Sequence, residues 1–122
     1  MYMAPLFSGS SGNSILIEAA GTRLLIDAGK PAKTIEEGLS SFGLLLKDID
    51  ALLITHEHTD HIAGAGVLAR KYKIPVYANS STWRAMEMNI GNVPAGCRRE
   101  FETGRDFYIG NVNILPFPTP HD

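Results

Sequence analysis

A short apolar run that ends in a cluster of histidines constrains the fold of this chain more than any other feature. Leu52–Ile54 has the composition of a buried strand, and it is followed at once by His56, His58, Asp60 and His61. Directly after the cluster, apolar residues recur at the spacing of one helix face. We therefore predict a loop of potential metal ligands that is held between a buried strand and a helix.

Strand-like and helix-like segments alternate along the rest of the sequence. Early in the chain, two apolar runs flank an Ala-Ala-Gly turn, which predicts a β-hairpin. Helices are predicted over 31–43, 61–73 and 80–89, with strands between them, and a second hairpin is predicted around the turn at 110–111. This order predicts one layered domain of the α/β or α+β class over residues 1–122, a length that suits a single core.

The composition is ordinary for a soluble globular protein. No run approaches the ~18 apolar residues that a membrane span needs. The start lacks the features of a signal peptide, and the single cysteine cannot close an intrachain disulfide. We therefore expect a cytoplasmic protein with no membrane partner. The formal net charge of -2 does not favour strong binding of nucleic acid, although a local basic patch would be sufficient for such binding.

The clustered side chains are suited to binding divalent metal ions, because neutral imidazole and carboxylate are good ligands for zinc, manganese and iron. His56 and His58 stand two apart, so in an extended loop both rings point the same way and can meet one ion. Asp60 and His61 follow a bend, where they can face a second ion nearby. The spacing differs from the zincin pattern, in which two histidines four apart lie on a helix.

Two further residues and one segment have both a functional and an ordinary interpretation. His121 lies in a proline-rich loop after a predicted strand, so it is either a third ligand of one ion or a disordered terminal residue. Asp27 ends a strand, where a carboxylate often orients a neighbouring ligand but also occurs as an ordinary turn residue. The segment Ser8–Ser14 is either a flexible linker or a tight turn between two strands.

Three motifs, in order, resemble those of the metallo-β-lactamase fold superfamily. The sequence "THEHTDH" has that family's His-x-His-x-Asp-His form, "LLIDAG" resembles its first motif, and "PTPHD" resembles its third. The segment "SGSSGNS" is similar to that of a bacterial branch, the WalJ or YycJ proteins, which are described as 5′-to-3′ DNA exonucleases. The resemblance implies that the chain forms the N-terminal half, with its αβ layers, of an αβ/βα sandwich.

The resemblance also implies a metal-binding role for each matching residue. His56, His58 and His121 would bind one divalent ion, and Asp60 and His61 would bind a second. The ions would be zinc, or manganese or iron. A metal-bound hydroxide would attack the substrate, and Asp60 would be the catalytic residue that orients it.

Three residues outside the ligand set would support the site. Asp27 would stand behind the ligands and orient them, as motif carboxylates do around metal centres. Ser11 and Asn13 would lie in a loop near the mouth of the site, where they would approach the substrate. The favoured substrate is DNA or another phosphodiester.

The sequence departs from the family pattern because it stops on the third motif. The aspartate that bridges both metals in the family is missing, and so is a late histidine on the second metal. We therefore expect a single partial domain over residues 1–122, cut from a longer protein, with little or no activity by itself.

Two other functions stay open at this point. The same metals would also open a lactone, thioester or β-lactam ring, because substrate-binding loops lie largely outside this sequence. Alternatively, the chain is a non-catalytic half-domain that binds metal and self-associates. A homodimer, or association with the missing C-terminal half, would then cover the exposed face of its sheet.

Overall fold

Strands and helices alternate along the chain, and the structure, a computed structural model, describes residues 1–9 and 11–118. The strands are β1 (Tyr2–Phe7), β2 (Ser14–Ala19), β3 (Thr22–Ile26), β4 (Ala51–Leu53), β5 (Val76–Ala78), β6 (Arg98–Glu100), β7 (Phe107–Ile109) and β8 (Val112–Ile114). The helices are α1 (Ala32–Ser40), α2 (Thr59–Ile62), α3 (Ala65–Tyr72) and α4 (Ser80–Ile90). Short 3-10 turns lie at Leu46–Asp48 and Ala95–Cys97. The predicted α+β class is confirmed.

The first six strands form one mixed sheet in sequence order, and β7 and β8 form a separate hairpin. β1, β2 and β3 pair antiparallel, whereas β3 to β6 pair parallel. The turn between β2 and β3 holds Ala20 at φ 51° and Gly21 at φ 79°, as a two-residue hairpin turn requires. Both predicted hairpins are confirmed, and the parallel pairs are joined by helical crossovers.

One face of the sheet forms the main core with the helices. Leu25, Leu52 and Val76 lie side by side on β3, β4 and β5 and are fully or almost fully buried. The helices contribute Ile35, Leu39, Ile62, Leu68, Trp83, Met86 and Ile90. Because side chains alternate along a strand, this packing commits the neighbouring residues of each strand to the opposite face.

The opposite face of the sheet is covered in part by the β7–β8 hairpin. Its buried cluster consists of Leu24, Ala51, Leu53 and Ile109. Tyr77 of β5 stacks on Phe107 of β7, with ring centroids 5.6 Å apart. Ile17 and Ile26 pack against this cluster but are only half-buried. The sheet therefore has a well-covered helical face and a partly covered apolar face.

The helix predicted over 61–73 is two helices, because the chain turns at Gly64 between α2 and α3. A Cβ at Gly64 would lie 2.4 Å from the carbonyl oxygen of Lys30. The Gly64 N–H donates to the carbonyl oxygen of Ala28 at 2.8 Å. This close approach fixes the one-turn helix α2 against the end of β3, while α3 packs on the sheet.

Side-chain contacts fix α4 and the edge strand β6 at the end of the sheet. α4 is capped by Asn79, whose side chain accepts from the N–H of Thr82 at 2.8 Å. β6 is not predicted, because three consecutive polar residues show no apolar period. Arg98 of β6 lies 4.7 Å from the ring centroid of Trp83 and pairs with Glu87 at 2.7 Å, which attaches this edge strand to α4.

Within residues 1–9 and 11–118, no helix is long and apolar enough to cross a bilayer. The longest of these helices, α4, has 11 residues and extends about 16 Å at 1.5 Å per residue. The hydrocarbon core of a bilayer is about 30 Å thick.

We expect Leu39→Ala to lower the free energy of unfolding by about 2–5 kcal/mol, because Leu39 of α1 is fully buried and its truncation leaves a cavity. The matched control is Leu45→Ala, since Leu45 is 45% exposed and its loss should cost about 1 kcal/mol or less. Urea unfolding followed by circular dichroism measures both. Equal losses for the two variants would contradict the placement of α1 against the sheet.

Candidate metal centre

The candidate site lies where two neighbouring parallel strands end. β3 and β4 pair parallel with Ile26 opposite Leu53, so the residues that follow each strand meet at the same edge of the sheet. Asp27 follows β3 directly, and its N–H donates to the carbonyl oxygen of Leu53 at 2.7 Å. Thr55 and His56 follow β4 after the buried Ile54. The carboxyl ends of parallel strands are a common location for binding sites in α/β sheets.

Asp27 is the centre of the site. It is 5% exposed, and its backbone is in the left-handed region with φ 66°, which costs a non-glycine residue free energy. Its Oδ1 accepts from the N–H of Thr55 at 2.7 Å, and its Oδ2 accepts from the Thr55 hydroxyl at 2.6 Å. The same Oδ2 lies 2.7 Å from Nδ1 of His61. The buried carboxylate thus has a partner on each oxygen, as a buried charge requires.

Two of the three clustered histidines converge on this carboxylate. Asp27, His56 and His61 each offer a ligand atom, and these atoms all lie within 4.8 Å of one another. The rings of His56 and His61 have centroids 4.8 Å apart. His58 is exposed, and its ring centroid is 6.0 Å from that of His56. The structure therefore brings Asp27 into the cluster more closely than the sequence predicts, and it places His58 at the rim.

Asp60 stands beside His61, with Oδ2 at 3.5 Å from Nε2 of that ring. Its position is held by Asn13, whose N–H donates to the Asp60 carbonyl oxygen at 2.8 Å. The Asn13 side-chain amide also donates to this carbonyl at 3.1 Å and to the Asp60 carboxylate at 3.2 Å. Asn13 therefore contacts Asp60 directly, whereas Ser11 is exposed in the preceding turn.

The segment Ser8–Ser14 is a turn packed on the site, so the linker interpretation is wrong for its described residues. Gly9 exchanges hydrogen bonds with the Asn13 side chain, donating to Oδ1 at 3.2 Å and accepting from Nδ2 at 3.0 Å. The Ser14 hydroxyl, fully buried, donates to the carbonyl oxygen of Asp27 at 2.8 Å. These bonds attach the turn to the same residues that form the site.

A glycine allows this close packing. A Cβ at Gly29 would lie 1.9 Å from the carbonyl oxygen of Asp60 and 2.3 Å from the backbone nitrogen of Asn13. Side chains essentially never come this close to backbone atoms, so only glycine fits. The "DAG" that ends the first motif therefore supplies a carboxylate and, two residues later, the space in which Asp60 is held.

An open groove of about 810 Å³ borders the site. Asp27, Thr55 and His56 line one end of it, and Phe101 and Phe117 line another part. Its volume is in the range of small-molecule and cofactor sites, and most of its lining is apolar.

The structure places most of the residues that the sequence singles out. His121 lies outside residues 1–9 and 11–118, so its predicted role as a ligand stays a prediction. The sequence pattern does not single out Thr55, although this residue stands between the buried strand and the first histidine. Asn13, predicted near the mouth of the site, instead contacts Asp60 directly.

Several known proteins are similar to this chain in sequence. The family model described as the metallo-beta-lactamase superfamily matches residues 8–121. Exodeoxyribonuclease WalJ of Streptococcus pneumoniae is 46% identical over 119 residues, which are 96% of this chain and 44% of that protein. Exodeoxyribonuclease YycJ of Bacillus anthracis is 42% identical over 122 residues, which are 100% of this chain and 46% of that protein. The chain thus spans less than half the length of these relatives.

Solved structures show the same half-sandwich. MEM-A1, a subclass B3 metallo-β-lactamase from a soil metagenome library, superposes with a TM-score of 0.74 at 24% identity, over 97% of this chain and 50% of that one. At this identity the likeness concerns the fold alone, and it confirms the predicted fold class. Because the family model spans nearly all of its residues and its strands and helices superpose on half of a known member, the chain belongs to the metallo-β-lactamase superfamily.

Proposed function

We propose that this chain is the N-terminal, metal-binding part of a nuclease that releases nucleotides from the 5′ ends of DNA. The observation that carries the proposal is the 42–46% identity with two bacterial exodeoxyribonucleases over nearly the whole chain. The likeness to β-lactamases is at 24% identity and concerns the fold, so it gives no comparable support to a β-lactam substrate. The predicted cytoplasmic location stays a prediction.

The donor set fits divalent metal ions. The cluster offers imidazole and carboxylate groups and no thiolate, since Cys97 is buried elsewhere in the core, which suits zinc, manganese or iron. Nδ1 of His61 faces Asp27, so its Nε2 is the nitrogen that faces Asp60. Asp60 and His61 would therefore hold one ion.

A second ion would be held by the remaining histidines. His56 and His58 have stacked rings with centroids 6.0 Å apart, and His121 would be the third ligand as the resemblance implies. Asp27 would remain behind the ligands, because its carboxylate oxygens already accept hydrogen bonds from Thr55 and face His61.

The residues of this chain would then have distinct tasks in phosphodiester hydrolysis. Bound divalent ions supply an activated water and neutralise charge on the phosphate. Asp60 would accept a hydrogen bond from that water and so orient it toward phosphorus. Asn13 would keep the Asp60 carboxylate in place through its amide. Because the formal net charge is -2, the ions would provide much of the positive charge that a DNA strand needs.

The partly covered face of the sheet supports association with further polypeptide. Ile17, Ile26 and Tyr77 are only half-buried there, and the exposed Leu115 and Phe117 extend the same apolar groove. The partner would be the remainder of a longer protein, since the relatives are more than twice as long as this chain. A homodimer through the same face is the alternative.

We predict that Asp60→Asn lowers nuclease activity of the full-length protein by about 100-fold or more, because an amide orients a water much less well than a carboxylate. His58→Ala should likewise abolish activity. The measurement is manganese- or zinc-dependent release of mononucleotides from duplex DNA labelled at either end, and the 5′ label should be released first.

Asp106→Asn is the matched control for this experiment. Asp106 is exposed before β7, where it accepts from the side chain of Asn113 at 3.1 Å, and it should keep full activity. A wild-type rate for Asp60→Asn would exclude the proposed catalytic role, and release of the 3′ label first would exclude the proposed polarity.

We also predict that residues 1–122 alone hydrolyse DNA at a rate at least about 100-fold below that of the full-length protein. The family's bridging aspartate and late histidine lie outside this sequence, so the second ion would lack ligands. The same end-labelled assay on equal concentrations of both proteins measures the ratio. Comparable rates would show that residues 1–122 suffice.

Gly29→Ala should weaken both the fold and metal binding. The added Cβ would overlap the carbonyl oxygen of Asp60, so we expect a loss of about 2 kcal/mol in unfolding free energy and at least about tenfold weaker zinc binding. The control is Gly96→Ala, where a Cβ would meet nothing within 4 Å. Calorimetric titration with zinc and thermal unfolding test both, and wild-type values for Gly29→Ala would contradict the packing described.

A further inference from the structure

We infer that Thr55 is a positioning residue, whose hydroxyl orients the ring of His56 so that its Nε2 faces the metal. The inference rests on the metal site proposed above. Thr55 Oγ1 lies 2.6 Å from Asp27 Oδ2 and 2.8 Å from His56 Nδ1, so it bridges the buried carboxylate and the imidazole. No motif of the sequence assigns Thr55 a role.

The direction of each hydrogen bond follows from counting protons. An ionised carboxylate only accepts, so Asp27 Oδ2 takes the single hydroxyl proton of Thr55. The Thr55 oxygen can then only accept from His56, which requires the proton of a neutral ring to be on Nδ1. The Nε2 of His56 is therefore left as the unprotonated nitrogen that a metal needs.

His61 is oriented by the same carboxylate without an intermediate. Its Nδ1 lies 2.7 Å from Asp27 Oδ2, so this ring donates a proton from Nδ1, and its Nε2 faces Asp60 Oδ2 at 3.5 Å. One buried oxygen thus sets the tautomers of two histidines, His61 directly and His56 through Thr55. The direct case serves as an internal control for the relayed one.

The backbone makes the bridge stiff. The N–H of Thr55 donates to Asp27 Oδ1 at 2.7 Å, so Thr55 is attached to both oxygens of one carboxylate. The residue before it, Ile54, is buried in the main core. A β-branched side chain also has few rotamers, which limits the positions of the hydroxyl. Thr55 can therefore hold the His56 ring in the absence of metal.

The test is Thr55→Val, which keeps the shape of the side chain and removes the hydroxyl, beside Thr55→Ser, which keeps the hydroxyl. Thr34→Val on α1 is the control, since it makes the same exchange away from the site. Nitrogen-15 spectra of the metal-free full-length protein, recorded near pH 8.5 where an ordinary imidazole is neutral, report which ring nitrogen carries the proton. Zinc affinity is measured by competition with a chromogenic chelator.

We expect the wild type to have Nδ1 protonated in both His56 and His61. In Thr55→Val, His56 alone should no longer be restricted to the tautomer protonated on Nδ1, and zinc binding should weaken roughly tenfold or more. Thr55→Ser should restore both the tautomer and the zinc affinity. A wild-type His56 protonated on Nε2, or a Thr55→Val protein with unchanged His56 tautomer and zinc affinity, would overturn the inference. If Thr55→Val does not fold, the wild-type spectrum still decides.

Failure of the proposed function gives a different result. A wild-type protein with the expected tautomers that binds no zinc or manganese would refute the metal site, while the hydrogen-bond bridge would stand. A protein that binds zinc with the His56 proton on Nε2 would refute the bridge and leave the metal site intact.

Discussion

One buried carboxylate organises this half of the fold. Removing the Asp27 carboxylate from water is costly unless both of its oxygens have partners, and the nearest partners lie on two other segments, at Thr55 and His61. Satisfying that charge therefore draws the end of β4 and the helix α2 to the end of β3. The left-handed backbone of Asp27, which costs about 1–3 kcal/mol, persists because these bonds over-determine it.

The backbone after β3 extends the same connection. The N–H of Asp27 donates to Leu53, that of Ala28 to His61, and that of Gly29 to Asn13, each at 2.7–2.8 Å to a carbonyl oxygen. Three consecutive residues thus attach the sheet, the histidine loop and the early turn to one another. His61 belongs to the cluster, and Asn13 contacts Asp60 of the cluster. The geometry of the cluster is therefore coupled to that of the sheet.

The sequence predicts the elements that have a strong local signal. The apolar run before the histidines, the turn at Ala20–Gly21 and the helices α1 and α4 appear where expected, whereas the helix predicted over 61–73 is divided in two. The roles of Thr55 and Asn13 have no local signal, because their partners lie 28 and 47 residues away along the chain. The break at Gly64 likewise depends on the carbonyl oxygen of Lys30, which only the folded structure brings close. Sequence patterns thus predict burial and periodicity well, but they do not predict which distant residues form hydrogen bonds with each other.

The absence of a side chain at Gly29 limits how this site can change. The carbonyl oxygen of Asp60 packs directly against the backbone of Gly29, so any residue with a Cβ at this position would displace the loop that carries Asp60. In any natural or engineered variant that keeps this cluster, residue 29 is therefore expected to remain glycine.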